Sequence, residues 1–351
     1  MFARGLRYPR RPVLAQIVSI RRCNLSCTYC NEYDKTSAPV DTELMLRRID
    51  QLAGLGTSAI DISGGEPLLH PDLDVIIRRI RQSGVIAGLL TNGYLLTRER
   101  IERLNHAGLD RLQISIDNIA PSAVSRKSLE VLDRKLELLA AHAEFEININ
   151  TVLGAAVGEP EDALTIASRG LAAGFTTSVG LIHDGRGQVA PLTDRHREVY
   201  DAILGLTRRF YSHAHDHAFQ RNLVRGLPNQ WQCRAGARYL YVCEDGLVHW
   251  CSQQRGHPAK PLDEYTQEDL DRELSTTKSC APYCTVSCVH RVAVLDRIRE
   301  APQDTIRTLV ASHTGAGGRT PMTVKVLVWT FLTGPHQRVM RRLAAWALSA
   351  S

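Results

Sequence analysis

Six short apolar runs, each separated from the next by an amphipathic stretch, predict an α/β fold on a parallel sheet, with a small cysteine-rich region appended. Three observations carry this. The runs are rich in β-branched residues and nearly continuous in apolarity, as at Ile86–Leu90, which suits strands buried on both faces. The stretches between them have helical spacing, and Gly56, Gly84, Gly108 and Gly174 stand just past four of them, where a left-handed cap residue is expected. Strict alternation of strand and helix calls for right-handed crossovers between parallel neighbours.

In chain order the strands are expected at Val13–Ile20, Ser58–Ser63, Val85–Thr91, Arg111–Ile116, Glu144–Val152 and Thr177–His183. Helices are expected at Asp41–Leu55, Pro71–Ser83, Thr97–Ala107, Ser125–His142 and Pro160–Ala173, the two prolines suiting a first-turn position. Pattern alone leaves an open doubly wound sheet and a partial barrel both standing. In either, functional residues belong at the C-terminal strand ends and the loops that follow. After His183 the alternation stops. Asp194–Tyr211 reads as a helix, and Ser212–Gln230 as a polar connection whose His213, His215 and His217 suit a solvated loop. The region Gln232–Arg291 contains a predicted hairpin, Tyr239–Cys243 turning at Glu244-Asp245-Gly246 into Leu247–Cys251. Gly315 to Gly318 marks a flexible break in the tail.

The chain has 351 residues and a net charge of +6, with 44% hydrophobic and 23% charged residues. That composition is ordinary for a globular protein of about two domains and excludes dominant disorder. So mild a basicity argues against nucleic acid as a partner. Nine cysteines, an odd number, fall at 23, 27, 30, 233, 243, 251, 280, 284 and 288. The N-terminus lacks the apolar run of a signal peptide. A cytoplasmic chain with clustered cysteines is expected to bind metal or do thiol chemistry rather than to be stapled by disulfides.

Arg22-Cys23-Asn-Leu-Ser-Cys27-Thr-Tyr29-Cys30 follows the first strand directly, with the spacing C-x3-C-x2-C. Three thiolates on one short loop suit three irons of a cubane cluster and leave the fourth iron open to a small molecule. A closed zinc site would want a fourth ligand close by, and none is near in sequence. At the end of the second strand stands Ser63-Gly64-Gly65-Glu66-Pro67, whose glycines allow close approach to a ligand and whose glutamate suits an ammonium group.

With these two motifs about 33 residues apart, residues 12–185 resemble the radical S-adenosylmethionine superfamily. The resemblance implies a partial (β/α)6 TIM-like barrel. It implies that Cys23, Cys27 and Cys30 hold a [4Fe–4S] cluster whose open iron binds the amino and carboxylate groups of S-adenosylmethionine. It implies further that Ser63, Gly64, Gly65, Glu66 and Pro67 lie at the methionine amino group, and the backbone around Tyr29 at the adenine. Asn92, ending strand three, and Ser115 and Asp117, ending strand four, fall where the family binds the ribose or methionine carboxylate; a plain turn also accounts for Asp117. Asn148 and Asn150 share one face of strand five, and costly unpaired amides there point to a cofactor or substrate partner.

Cys233, Gly246 and Cys251 form C-x12-G-x4-C, followed by Cys280, Cys284 and Cys288. This resembles the SPASM and twitch auxiliary regions, and the cysteine count implies the shorter type with one auxiliary [4Fe–4S] cluster. Cys233 and Cys251 are expected ligands with two of Cys280, Cys284 and Cys288; zinc is the alternative occupant. Cys243, expected mid-strand, is read as a buried small hydrophobe, with a spare ligand or a hydrogen-returning thiol as alternatives. His183 and Asp184, at the mouth of strand six, are candidates to touch substrate. The expected division is barrel 1–190, helical linker 191–231, auxiliary region 232–295 and tail 296–351. The apolar stretch Thr323–Leu332 is too short to span a bilayer. With Trp329, Arg338, Arg341, Arg342 and Trp346, the tail either packs on the barrel or lies on an anionic membrane surface.

The implied activity is that of an oxidoreductase-type enzyme. Reductive cleavage of S-adenosylmethionine gives a 5′-deoxyadenosyl radical that takes a hydrogen atom from a small-molecule or lipid substrate, leading to dehydrogenation, epimerisation or bond formation. A reductant protein such as flavodoxin or ferredoxin would supply the electron. The alternative is maturation of a ribosomally made peptide. Only 22 residues precede Cys23, too few for the peptide-binding domain such enzymes often carry, so a separate protein would supply it. A bare iron–sulfur electron carrier needs neither barrel nor open iron.

Overall fold

The computed structural model describes residues 2–154, 159–183, 189–206 and 219–301, with scattered residues between 303 and 329. Asp184, His213, His215, His217 and most of the tail, including Arg338, Arg341, Arg342 and Trp346, lie outside the described residues.

Six parallel strands follow the expected runs: β1 (Leu14–Ile20), β2 (Ala59–Gly64), β3 (Ile86–Thr91), β4 (Arg111–Ser115), β5 (Glu146–Leu153) and β6 (Thr176–Leu181). The helices between are α2 (Thr42–Gly54), α3 (Leu73–Gln82), α4 (Arg98–Ala107), α5 (Leu129–His142) and α6 (Glu161–Ala172), preceded by a short α1 (Phe2–Arg7). Their apolar faces pack on one side of the sheet. Met45, Ile49 and Leu52 of α2 and Ile76, Ile77 and Ile80 of α3 meet Ala15, Ile17, Ile60 and Ile62. The alternate strand residues face the other way, into the partial barrel.

Helix ends follow local chemistry. The Asp41 carboxylate accepts from the Leu44 N–H at 3.0 Å to start α2, and Gly108 closes α4 in the left-handed region. Pro71 and Pro160 stand just ahead of their helices rather than in the first turn. The fifth helix starts at Leu129, not Ser125, because Ser125 is spent elsewhere: its hydroxyl donates to Asp117 at 2.6 Å.

The predicted hairpin does not stand apart. Its strands β7 (Tyr239–Val242) and β8 (Leu247–His249), with β9 (Pro258–Pro261), extend the sheet to nine strands in the order β6-β5-β4-β3-β2-β1-β7-β8-β9. The β7 strand runs parallel to β1, Gln16 lying opposite Tyr241, whereas β7–β8 and β8–β9 are antiparallel. Cys243 therefore lies just past β7, its N–H bonded to the Leu247 carbonyl at 3.0 Å, not in mid-strand. Helix α7 (Asp194–Leu206) packs beside α6 and β6, and α8 (Gln267–Ser275) and α9 (Ser287–Glu300) complete the cysteine-rich region. Among the described residues no helix is long and apolar enough to cross a membrane.

Inside the barrel an Asp61–Arg111 ion pair (2.7 Å) passes over β3 at Gly88. A Cβ at Gly88 would stand 1.9 Å from Asp61 Oδ1, so only glycine lets the pair cross there.

Candidate active site

The Cys23–Cys30 loop leaves β1 at its C-terminal end, where a register shift between Val18 and Ile20 breaks the regular pairing with β2. Lys35 Nζ clasps the loop by donating to the carbonyls of Cys23 (3.1 Å) and Leu25 (2.7 Å). The Thr28 N–H donates to the Val124 carbonyl at 3.0 Å, fastening the far end of the loop to the β4–α5 connection.

Gly64 and Gly65 are required by this loop itself. Gly64 has a φ of 142°, and a Cβ there would stand 2.1 Å from the Ile20 carbonyl oxygen. One on Gly65 would stand 2.1 Å from the Arg21 oxygen and 2.5 Å from that of Arg22. The Gly65 and Glu66 N–H groups donate to Ile20 and Arg22 carbonyls at 2.8 and 3.1 Å. The glycines thus let the end of β2 press against the entry to the cysteine loop. Pro67 opens the single 3-10 turn that follows.

Glu66 is wholly buried, and its carboxylate already accepts three bonds: Leu68 N–H (3.0 Å), Thr91 Oγ1 (2.6 Å) and Asn92 N–H (2.8 Å). It ties the end of β2 to the end of β3. Burial pushes its pKa up against those donors. Asn92 Nδ2 in turn reaches Asn24 Oδ1 at 2.8 Å and lies 3.7 Å from Cys23 Sγ. Ser63 Oγ accepts from Gln16 Nε2 at 2.9 Å, and Gln16 Oε1 accepts from the Tyr239 hydroxyl at 2.8 Å.

On the other side of the loop lies a buried charged network. The Tyr29 hydroxyl donates to Asp117 and accepts from Lys127 Nζ at 2.7 Å. Lys127 Nζ also stands 3.4 Å from Asp117, and Ser125 Oγ is 3.4 Å from Cys27 Sγ. Burial opposes the charge on Lys127, yet Asp117 and Tyr29 hold its pKa well above the ordinary lysine value. Among the described residues Asp117 Oδ1 and Asn118 Oδ1 remain buried without a hydrogen-bond partner. Such orphan acceptors are rare and costly. At the rim of a cysteine loop they suit the hydroxyl donors of a ribose. Burial also raises the pKa of the Cys23 and Cys30 thiols against nearby N–H groups and lysines, and a cation bound at the sulfurs would favour their thiolates. The residues present therefore fit an iron–sulfur cluster with S-adenosylmethionine beside it.

Asn148 and Asn150 do point into the barrel, but β6 supplies partners. Asn148 Nδ2 donates to Thr176 Oγ1 (3.1 Å), and Ser178 Oγ lies 2.7 Å from Asn148 Oδ1 and 3.0 Å from Asn150 Oδ1. Ser115 ends β4 opposite Asn150. His183, just beyond β6, accepts at Nε2 from the Gln253 side-chain amide (2.7 Å).

In the C-terminal region Cys233 and Cys251 share a buried cluster with Tyr239, Tyr241 and Ala281. Burial pushes the Cys233 thiol up to about 11 and Cys251 to about 12. Cys284 is raised well above the ordinary thiol value by burial and by the proximity of Cys251, Cys233 and Cys280. Cys288, pushed to about 11 by burial, lies near Tyr239, Arg291 and Asp61, packs against the cluster of Cys233 and Cys251, and helps to raise Cys251. Cys243, Asp245 and His249 place ligand atoms within 4.8 Å of one another. His249, however, spends its Nδ1 lone pair on the Gly256 N–H (3.1 Å), so the neutral ring carries its proton on Nε2 and offers no lone pair to an ion. Burial pushes Cys243 up to about 12, in keeping with a protonated, packed thiol.

Sequence reasoning missed Lys127, Ser125, Glu32, Tyr241 and Arg255. An isolated lysine or glutamate carries no spacing signal; the only hint is that Lys127 stands in a loop directly after strand four.

The family model of the Radical SAM superfamily matches residues 17–163. The chain is 34% identical over 121 residues to a PqqA peptide cyclase of Gluconobacter oxydans, covering 34% of this chain and 33% of that protein. It is 35% identical over 146 residues to an AdoMet-dependent heme synthase of Methanosarcina barkeri, covering 37% and 40%. It is 32% identical over 158 residues to a GTP 3',8-cyclase of Chlorobaculum tepidum, covering 42% and 47%. The chain thus spans about a third to a half of the length of these relatives. Among solved structures, Streptococcus suis SuiB bound to S-adenosylmethionine superposes with a TM-score of 0.55 at 16% identity, over 80% of this chain and 72% of that one. Native anSMEcpe with bound AdoMet and Cp18Cys peptide gives 0.52 at 14% identity, over 85% and 99%. Both share the fold. Residues 17–163 of the chain thus match the Radical SAM superfamily.

Proposed function

We propose that this enzyme holds its [4Fe–4S] cluster on Cys23, Cys27 and Cys30, and that S-adenosylmethionine lies between the ends of β2, β3 and β4. The group supplies, when bound, reductive cleavage of the sulfonium to a 5′-deoxyadenosyl radical that takes a hydrogen atom from the substrate. The observation that carries the reading is the orphaned Asp117 Oδ1 beside a cysteine loop gripped on both flanks. Asp117, itself fixed by Tyr29, Ser125 and Lys127, offers that oxygen to a ribose hydroxyl. Glu66 acts chiefly by holding the Asn92 backbone and the β2 turn in place, with Ser63 and Asn92 at the cofactor's methionine end.

We assign the auxiliary [4Fe–4S] cluster to Cys233 and Cys251 with two of Cys280, Cys284 and Cys288: Cys284 feels Cys233, Cys251 and Cys280, and Cys251 feels Cys288 as well. Among the described residues no three of these sulfurs fall within 4.8 Å of one another, a wider spread than one zinc ion draws together. The barrel interior, lined by Gln16, Asn148, Asn150, Ser178 and the Asp61–Arg111 pair, suits a polar small-molecule substrate more than a lipid chain. Peptide maturation is the second reading, favoured by the PqqA peptide cyclases among the relatives.

Anaerobic reconstitution followed by dithionite and S-adenosylmethionine should yield 5′-deoxyadenosine. Replacing Cys23, Cys27 and Cys30 together by alanine should abolish it while the auxiliary iron is retained. Absence of 5′-deoxyadenosine from cluster-loaded parent protein would overturn the proposal.

A further inference from the structure

Two residues, each standing two places after a cysteine, do the same double duty at opposite ends of one connection. Glu32 turns its N–H to Cys30 Sγ, and its carboxylate accepts from the Tyr241 hydroxyl. That hydroxyl accepts in turn from Arg255 Nη2 at 2.9 Å, with the guanidinium carbon 5.6 Å from the Tyr241 ring centre. Gln253, together with Gln254, turns its N–H to Cys251 Sγ. Its side chain then reaches across to His183 Nε2 at 2.7 Å and accepts a long bond from Asn31 Nδ2 at 3.5 Å. The segment after Cys30 is therefore tied twice to the segment after Cys251. One of those ties continues to His183, beside β6, the last strand of the sheet among the described residues, whereas β7 to β9 lie at the opposite end of the strand order.

The energetics favour holding these groups together. The Glu32 carboxylate accepts from the Tyr241 hydroxyl, which Arg255 holds in turn. Tyr241 is fully buried on β7 and cannot follow a displaced Glu32 without opening the core. Arg255 has a buried Nε–H without a partner among the described residues, and its hold on this position comes through Nη2 and the ring face. Residues 252–257 form turns held locally by the Gln254 N–H on the Cys251 carbonyl (3.1 Å) and the Gly256 N–H on His249 Nδ1 (3.1 Å), and the side-chain ties link these turns to the N-terminal loop and to His183.

We propose that residues 251–257 form a strap coupling the two cysteine centres. In it Arg255 and Gln253 are positioning residues that order the Cys30 end of the N-terminal loop and close the open edge of the barrel at His183. This builds on the assignment of both cysteine sets above.

The test is hydrogen–deuterium exchange on the full metal-free chain, comparing the parent with Arg255→Gln, Gln253→Ala and the surface control Arg98→Gln. Arg255→Gln is expected to speed exchange of residues 28–34 about tenfold or more, the scale of one lost charge-assisted bond, with α4 and α5 unchanged. Gln253→Ala is expected to do the same around residues 181–183. Parent rates in both segments overturn the strap. Should Arg255→Gln loosen the whole molecule, Tyr241→Phe, which removes only the hydroxyl, carries the same expectation for residues 28–34. Reconstituted Arg255→Gln should also lose iron to a chelator severalfold faster than the parent. The exchange arm needs no cluster. A chain that never takes up iron therefore sinks the cofactor assignment and leaves the strap standing, whereas unaltered exchange in an iron-loaded enzyme that cleaves S-adenosylmethionine sinks the strap alone.

Discussion

Glu66→Gln separates two roles for the glutamate of the Gly-Gly-Glu-Pro turn. The sequence suggests a carboxylate aimed at the cofactor's ammonium; the structure shows one already bonded to Leu68, Thr91 and Asn92. A glutamine amide offers one oxygen and one NH2. With the oxygen toward Leu68 and Thr91, the NH2 meets the Asn92 N–H donor to donor; flipped, it meets the other two. Either way at least one buried donor is stranded, at a cost of about 1–3 kcal/mol. At roughly 2–4 °C per kcal/mol for a domain of this size, thermal unfolding of the metal-free variant should fall by about 2–12 °C. Circular dichroism of parent and variant measures this directly. An unchanged melting temperature combined with lost S-adenosylmethionine binding would refute the reasoning and return Glu66 to the role of an ammonium ligand.

Lys127→Met should destabilise by about 3–5 kcal/mol, because it leaves Asp117 buried without its cation, and Lys127→Met with Asp117→Asn should recover part of that loss; denaturant midpoints check both. Gly65→Ala should cost about 1–3 kcal/mol and reduce iron bound at the N-terminal loop, since the new methyl meets the Arg21 and Arg22 carbonyls; iron per chain and a melt read both effects. At Asp269, burial acts to raise the pKa, but the hydrogen bonds from Lys260, Thr266 and Arg272 win and hold it below the usual range. A depressed folded pKa contributes stability above the free-carboxyl range that is lost as pH falls toward the folded value. Asp269→Asn should therefore flatten the decline in stability below about pH 4, which acid melts of the two proteins compare.

Much of this architecture is legible in the sequence because it is local. The C-x3-C-x2-C spacing, the glycine caps and the six apolar runs each report on their own neighbourhood. The part that is not legible depends on pairing between distant segments. Nothing near Tyr239 says that this strand lies against β1, although a run apolar on both faces hints at more than a surface hairpin. Glu66 reads as a ligand because its three donors come from the turn after it and from β3, 25 residues on. Lys127 and Glu32 are invisible for the same reason: each is an ordinary charged residue until Asp117 or Tyr241 is brought to it. Cys233, Cys251, Cys284 and Cys288 likewise become neighbours only once distant segments are brought together.

The central claim is that the N-terminal loop carries a cluster with an iron open to S-adenosylmethionine. Electron paramagnetic resonance tests it most directly, in a variant with Cys233, Cys251, Cys280 and Cys284 changed to alanine so that one cluster remains. The dithionite-reduced signal should shift when S-adenosylmethionine is added. A [4Fe–4S] signal that stays identical with and without it would contradict the claim.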